Sequence, residues 1–104
     1  MTEKLEHARF LENLNSKFRL QVQGSDEVEL ELTEVSELKE TPRQEMFSIV
    51  FRSSSSVVMP QQTYRLEHDK LSEFDLFLVP IRRDDQGVYY EAVFNRIRPL
   101  EAEA

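Results

Sequence analysis

The stretch "FRLQVQGSDEVELEL", residues 18–32, alternates apolar and polar side chains on both sides of a Gly-Ser-Asp turn. Period two belongs to a half-buried strand, so the stretch predicts a β-hairpin with one face towards a core. Pairing Gln23 with Glu27 sets Val22 against Val28, Leu20 against Leu30, and Phe18 against Leu32. On the outer face the same register puts Arg19 opposite Glu31. A slip of one residue would place apolar side chains opposite charges. Glu27, Glu29 and Glu31 then form an outward row. Their side chains run parallel, whereas metal ligands must converge, so the row reads as a solvated face.

The same period governs most of the chain. Val28, Leu30 and Leu32 are in phase, but Val35 is not. One extra residue near Thr33 or Glu34 would restore the apolar side, which predicts a β-bulge and a bend. "LKETPRQE" reads as a polar loop, "MFSIVF" as a strand with Phe47, Ile49 and Phe51 on one face, and "RSSSS" as a turn. In "QTYRLEH", Tyr64, Leu66 and His68 share a face. "FDLFLVPI" is apolar on both faces, as a strand covered on both sides should be. Pro80 lacks an N–H and belongs where the ladder is interrupted. A turn over Asp84–Gly87 pairs Arg83 with Val88, Ile81 with Tyr90, Val79 with Ala92, Phe77 with Phe94, and Asp75 with Arg96.

Ahead of the strands, residues 3–14 predict a short helix. Thr2 is its N-cap, and Leu5, Phe10, Leu11 and Leu14 give a narrow apolar stripe. Asn15 suits the left-handed conformation that ends a helix. So short a helix must dock, and the second face of "FDLFLVPI" is its expected seat, with Phe10 or Leu14 over Ala92. The predicted fold is mainly β: an antiparallel meander of about six strands curled into a small barrel or half-barrel, with one N-terminal helix packed on it. Residues 1–97 form a single domain, and 98–104 a flexible tail.

Composition narrows the function classes. The 104 residues suffice for one modest core. There is no cysteine, so disulfides and thiolate metal sites are excluded. "MTEKLEHARF" has no apolar core of signal-peptide length, and no apolar run is long enough to span a bilayer. A soluble cytoplasmic protein that meets no membrane is expected. The net charge of −7 opposes nucleic-acid binding. Arg82, Arg83, Arg96 and Arg98 could form a local basic patch, but no aromatic stripe accompanies them, so they read as solvated strand ends.

At "PQQTYRLEH", "LFLVPI" and "YYEAVFN" the chain resembles an uncharacterised family of small bacterial domains of unknown function. The similarity runs from Phe10 to Phe94 and Asn95. Asn15 stands where that family carries glycine and serves the same backbone role. The resemblance implies a bacterial, non-enzymatic domain and brings no catalytic residues with it.

His68 is the one residue that invites a chemical reading. A histidine base needs a carboxylate at one ring nitrogen and a nucleophile or water at the other. Glu67 and Asp69 adjoin His68, but strand neighbours point to the opposite face. The residues in phase are Leu66 and Tyr64, and a pairing of His68 with Phe74 would make the face apolar. His68 is therefore expected to be a half-buried rim residue bonded to a loop carbonyl, and hydrolysis is the least favoured function. Two histidines without cysteine make a zinc site improbable, and Gly24 and Gly87 alone cannot form a phosphate loop. No cofactor is expected.

The favoured function is a non-catalytic protein–protein interaction or assembly module, with self-association as one form. Its partner would be another protein, met at the edges of "MFSIVF" or the Pro60–His68 strand. Met46, Val50, Val57, Val58 and Met59 are apolar beyond what the core pattern requires, and are the candidate interaction residues. The alternative is a barrel carrying a small molecule, lined by Phe47, Phe51, Tyr64, Tyr90 and Phe94. A six-strand lumen leaves little room for one.

Overall fold

Alternation carries straight into burial in the computed structural model, which describes residues 7–21, 28–55 and 57–97. Phe18 and Leu20, Leu30 and Leu32, Ile49 and Phe51, and Leu66 and Leu78 are all fully buried, two residues apart on their strands or on facing ones. Each such side chain contributes roughly 1.5–3 kcal/mol by leaving water. The helix α1 spans His7–Glu12. The strands are β1 Lys17–Leu20, β2 Val28–Val35, β3 Lys39–Thr41, β4 Gln44–Ser53, β5 Gln62–His68, β6 Ser72–Asp84 and β7 Gly87–Ile97. Thr2 and Leu5, the hairpin turn, Ser56 and the 98–104 tail lie outside the described residues.

The sheet runs β2-β1-β5-β6-β7-β4-β3, and a further β2–β4 pairing closes it into a six-stranded antiparallel barrel with β3 as an extra strand. The strand order departs from a simple meander at one place. Two three-stranded units, β1–β2–β4 and β5–β6–β7, meet along the β1–β5 and β4–β7 seams. Residues 54–55 and 57–61 lie on the connection between them. The β4–β7 ladder is unbroken from Gln44–Ile97 to Ser53–Val88. Pairing these two long strands over their length satisfies more backbone than a hairpin with the seven-residue β5 could. Both strands expected to offer free edges are therefore internal: β4 lies between β7 and β2 or β3, and β5 between β1 and β6.

Bulges bend the wall as expected, with one addition. On β2, Leu32 pairs with Phe51 and Glu34 with Val50, so Thr33 is the extra residue. On β6, Pro80 pairs with Tyr90 and Arg82 with Tyr89, which leaves Ile81 bulged. The expected Ile81–Tyr90 and Val79–Ala92 pairs are thus displaced by one, and Val79 meets Glu91. The turn itself is as expected, with Arg83 opposite Val88. Beyond Val79 and Glu91 the two strands part. Residues 72–78 pair only with β5, and 92–97 only with β4.

The first hairpin is corrected by two residues. Lys17 faces Glu31, Phe18 faces Leu30, Arg19 faces Glu29, and Leu20 faces Val28. A two-residue shift preserves every side-chain face, so alternation cannot tell the two registers apart. Arg19 reaches instead across the other seam, to Glu67 at 3.5 Å and Asp69 at 3.1 Å. A similar two-residue shift sets His68 opposite Ser72 and Leu66 opposite Phe74.

The helix does not lie over the outer face of β6. It enters one mouth of the barrel through Phe10, which is fully buried. The Phe10 ring lies 5.3 Å from Phe94, 6.1 Å from Phe74 and 6.2 Å from Phe47. Phe10 thus bridges the gap where β6 and β7 part. Leu11 and Leu14 are exposed, because one aromatic fills the mouth and leaves the stripe no second seat. Asn15 has φ of 70°, the left-handed stop expected there, and its N–H donates to Leu32 O at 2.7 Å.

Candidate functional site

His68 sits at the helix-end rim with 6% of its surface exposed. Its Nδ1 accepts from the backbone N–H groups of Lys70 at 3.0 Å and Leu71 at 3.3 Å. With Nδ1 an acceptor, the ring proton sits on Nε2, which donates to Ser16 Oγ at 2.8 Å. The Ser16 hydroxyl in turn donates to Asn13 O at 2.5 Å, next to the last turn of α1. The ring lies 4.3 Å from that of Phe18.

This order of donors has a chemical consequence. A histidine activates a serine by accepting its proton at an unprotonated nitrogen. Here both acceptor slots point the other way: Nδ1 is saturated by amides, and Ser16 receives a proton from the ring. Burial lowers the His68 pKa, Arg19 and Lys70 lower it further, and Asp69 opposes them. The neutral ring is a strut linking the β5–β6 turn to the helix. Its partners are turn amides and a hydroxyl, in place of the loop carbonyl expected from sequence. A tight turn presents N–H groups to a side chain two residues back.

The other polar feature at this end is a cleft of about 400 Å³ lined by His7, Leu38, Glu40, Glu45, Phe47 and Arg96. Glu40 and Glu45 are direct cross-strand neighbours, and Glu45 also faces Arg96. Arg96 Nη2 bonds Glu45 Oε1 at 2.8 Å and offsets the like-charge pairing. His7 Nε2 donates to Ser36 O at 2.7 Å and packs edge-on to Phe47. Among the described residues no group of three His, Asp or Glu converges as a metal site would.

The candidate basic residues are dispersed. The Arg82 guanidinium lies 4.0 Å over the Tyr89 ring, Arg96 is at the opposite end with Glu45, and Arg98 lies outside the described residues. Of the outward glutamates, Glu31 bonds Arg52 at 2.9 Å and Glu29 lies 3.9 Å from Lys17.

The five candidate interaction residues do not form one surface. Met46 is exposed near the start of β4, while Val57 and Val58 are exposed in the crossover beyond its end. Those places are separated by about 23 Å of strand. Val50 is buried, and Met59 packs against the core with its N–H bonded to Tyr90 Oη at 2.9 Å. Tyr64 Oη donates to Pro60 O at 2.6 Å, so two phenols latch the crossover. Burial raises the Tyr64 pKa and keeps it a donor.

Four further exposed apolar residues lie on β6 and β7. Phe77 is 51% exposed, Ile81 41%, Val93 62% and Ile97 73%. Beside Val93 an open groove of about 270 Å³ is lined by Ser36, Lys39, Met46, Ser48 and Glu91. Sequence reasoning passed over this wall by assigning the helix to cover it. The signal was present in the two-sided apolar pattern of "FDLFLVPI", set against a helix with a single large aromatic.

A six-stranded antiparallel barrel plugged at one mouth by a helical phenylalanine, with a filled interior, defines the class: a small closed β-barrel domain. The chain belongs to the family described as a domain of unknown function, DUF6916, which it matches over residues 5–94. No curated protein and no solved structure matches it.

Proposed function

We propose that this domain is a non-catalytic assembly module that meets other proteins through its outer β6–β7 wall. The observation that carries the reading is the exposure of Phe77, Ile81, Val93 and Ile97 on two neighbouring strands, β6 and β7. Exposed large apolar side chains on neighbouring strands favour a docking role. The interior supports the reading too. Phe18, Phe51, Tyr90 and Leu78 are fully buried and occupy the space a carrier would leave for cargo. The polarity of the Ser16–His68 bond supports a structural role for the most reactive-looking pair.

The test is affinity capture from the native cell with the wild-type domain and with a Phe77→Lys, Ile81→Lys variant. The expected result is a protein held by the wild type and lost from the folded variant. Equal capture by both would refute the wall. A second reading, small-molecule binding, draws on the 400 Å³ cleft at the helix end. A ligand-induced melting screen tests it, with Arg96→Ala expected to abolish any hit.

A further inference from the structure

The ladder between β6 and β7 ends at Val79–Glu91, yet β7 continues to Ile97. Among the described residues no strand pairs with Ala92–Ile97 on the side away from β4. In an antiparallel ladder alternate residues aim their N–H and C=O away from the partner, so this six-residue edge presents a row of backbone groups. Edges of this kind are ordinarily blunted by proline, lysine or a bulge. "AVFNRI" contains no proline or lysine, its one charge, Arg96, is bonded to Glu45 on β4, its pairing with β4 is regular, and its apolar side chains Val93 and Ile97 are exposed.

We propose that Ala92–Ile97 is a homodimerisation edge, which pairs antiparallel with the same edge of a second copy about a two-fold axis at Asn95. The inference rests on the assembly reading and names its partner. The argument for a second copy is self-complementarity. Residues directly opposite in an antiparallel pair share a face, and a two-fold axis requires each pairing to be reciprocal. Centred on Asn95, the register sets Val93 opposite Ile97 of the other copy and Ile97 opposite its Val93. Both exposed apolar residues thereby cover each other. Centring on Phe94 would instead set Val93 against Asn95 and Ile97 against Glu91. On the inner face the Asn95 register lays Arg96 across Phe94 of the other copy. The sheet β3-β4-β7 of each copy would become one continuous six-stranded sheet. A contact of this size is at the small end for stable pairs, so the dimer should dissociate on dilution.

Sedimentation velocity over a dilution series tests the proposal, with near-ultraviolet circular dichroism to verify folding. The wild type should pass from dimer to monomer. Val93→Lys with Ile97→Lys puts like charges opposite each other twice and should weaken the dimer by about tenfold or more. Val93→Lys with Ile97→Glu puts opposite charges opposite each other in this register alone and should restore it. Phe77→Lys, off the edge, should leave it intact. A wild type that is monomeric throughout, or a double-lysine variant that still dimerises, overturns the proposal. So does a folded Lys/Glu variant that stays monomeric, or a dimer broken by Phe77→Lys. A monomer that still captures a protein through Phe77 and Ile81 would sink the homodimer and leave the assembly reading standing.

Discussion

At the helix end the barrel is stopped by rings: Phe10 against Phe94 and Phe74, with Phe94 stacked on Phe47 at 4.6 Å. At the crossover end, Pro60 O accepts from the Tyr64 hydroxyl and Met59 N–H donates to that of Tyr90. Gly87 approaches the same end so closely that a Cβ there would lie 1.8 Å from Ser53 O. The contrast follows from what each end must hold. A gap between parted strands is wide, and an aromatic fills it with apolar contact. A crossover is bare backbone, and its N–H and C=O groups need partners more than they need volume. Loss of a plug should therefore cost more than loss of a latch.

The largest expected effect is Phe10→Ala, at about 3–5 kcal/mol by denaturant unfolding, since a buried ring leaves a cavity that rigid strands cannot close. A loss below about 1 kcal/mol would mean the rings are not the seal. Next comes Gly87→Ala, about 2–3 kcal/mol, because the Ser53 carbonyl at the end of β4 must move off the new Cβ and φ at this position is 135°. Thermal melting beside Phe10→Ala would rank the two ends. Tyr90→Phe should cost about 1–2 kcal/mol, the penalty of leaving the Met59 N–H unpaired. Hydrogen exchange should then quicken at Met59 and nowhere in β1. Unchanged exchange would mean that the latch is not closed in solution.

The helix end also carries a pH dependence, through His68. In the unfolded chain His68 takes up a proton near its ordinary value of 6.5, while burial holds the folded value lower. The unfolded state binds more protons in that interval, so stability should fall as pH drops through 6.5 and level off below the folded pKa. Protonation would also turn the Lys70 and Leu71 amides against a donor. Unfolding midpoints across this range should show the fall, and His68→Gln should flatten it. A slope equal in both proteins would place the effect elsewhere. The smallest effect expected is Glu67→Gln, under about 1 kcal/mol, because the contact with Arg19 is long, at 3.5 Å, and both side chains keep about a third of their surface in water.

Legibility in the sequence tracked the range of the interaction. The Thr33 bulge, the Asn15 stop, the Asp84–Gly87 turn and the inward set of Tyr64, Leu66 and His68 were all readable, because each depends on neighbours a few residues away. Gln86 N–H donating to Asp84 Oδ1 at 2.8 Å is local chemistry of this sort. The Ile81 bulge was missed because both faces there are apolar, so no phase change marked the extra residue. Ser53 was read as turn, yet it ends β4 and is buried, since Gly87 on the far strand packs against its carbonyl. Nothing near His68 in sequence pointed to Ser16, which reaches it only when β1 lies beside β5.

What the sequence by itself determined is which side of each strand faces the core, because period-two alternation ties every side chain to a face through local backbone geometry alone. Tertiary structure decided which strand lies beside which, and at what multiple of two the hairpins align. Faces survive a two-residue slide and any permutation of strand order, so alternation is blind to both. The choice falls to long-range terms: the full-length β4–β7 ladder, the single ring of Phe10 filling the mouth, and the bond from His68 to Ser16 across the β1–β5 seam. The same terms left part of β7 without a second strand among the described residues and apolar side chains of β6 and β7 in water, where the proposed functions of this domain are sited.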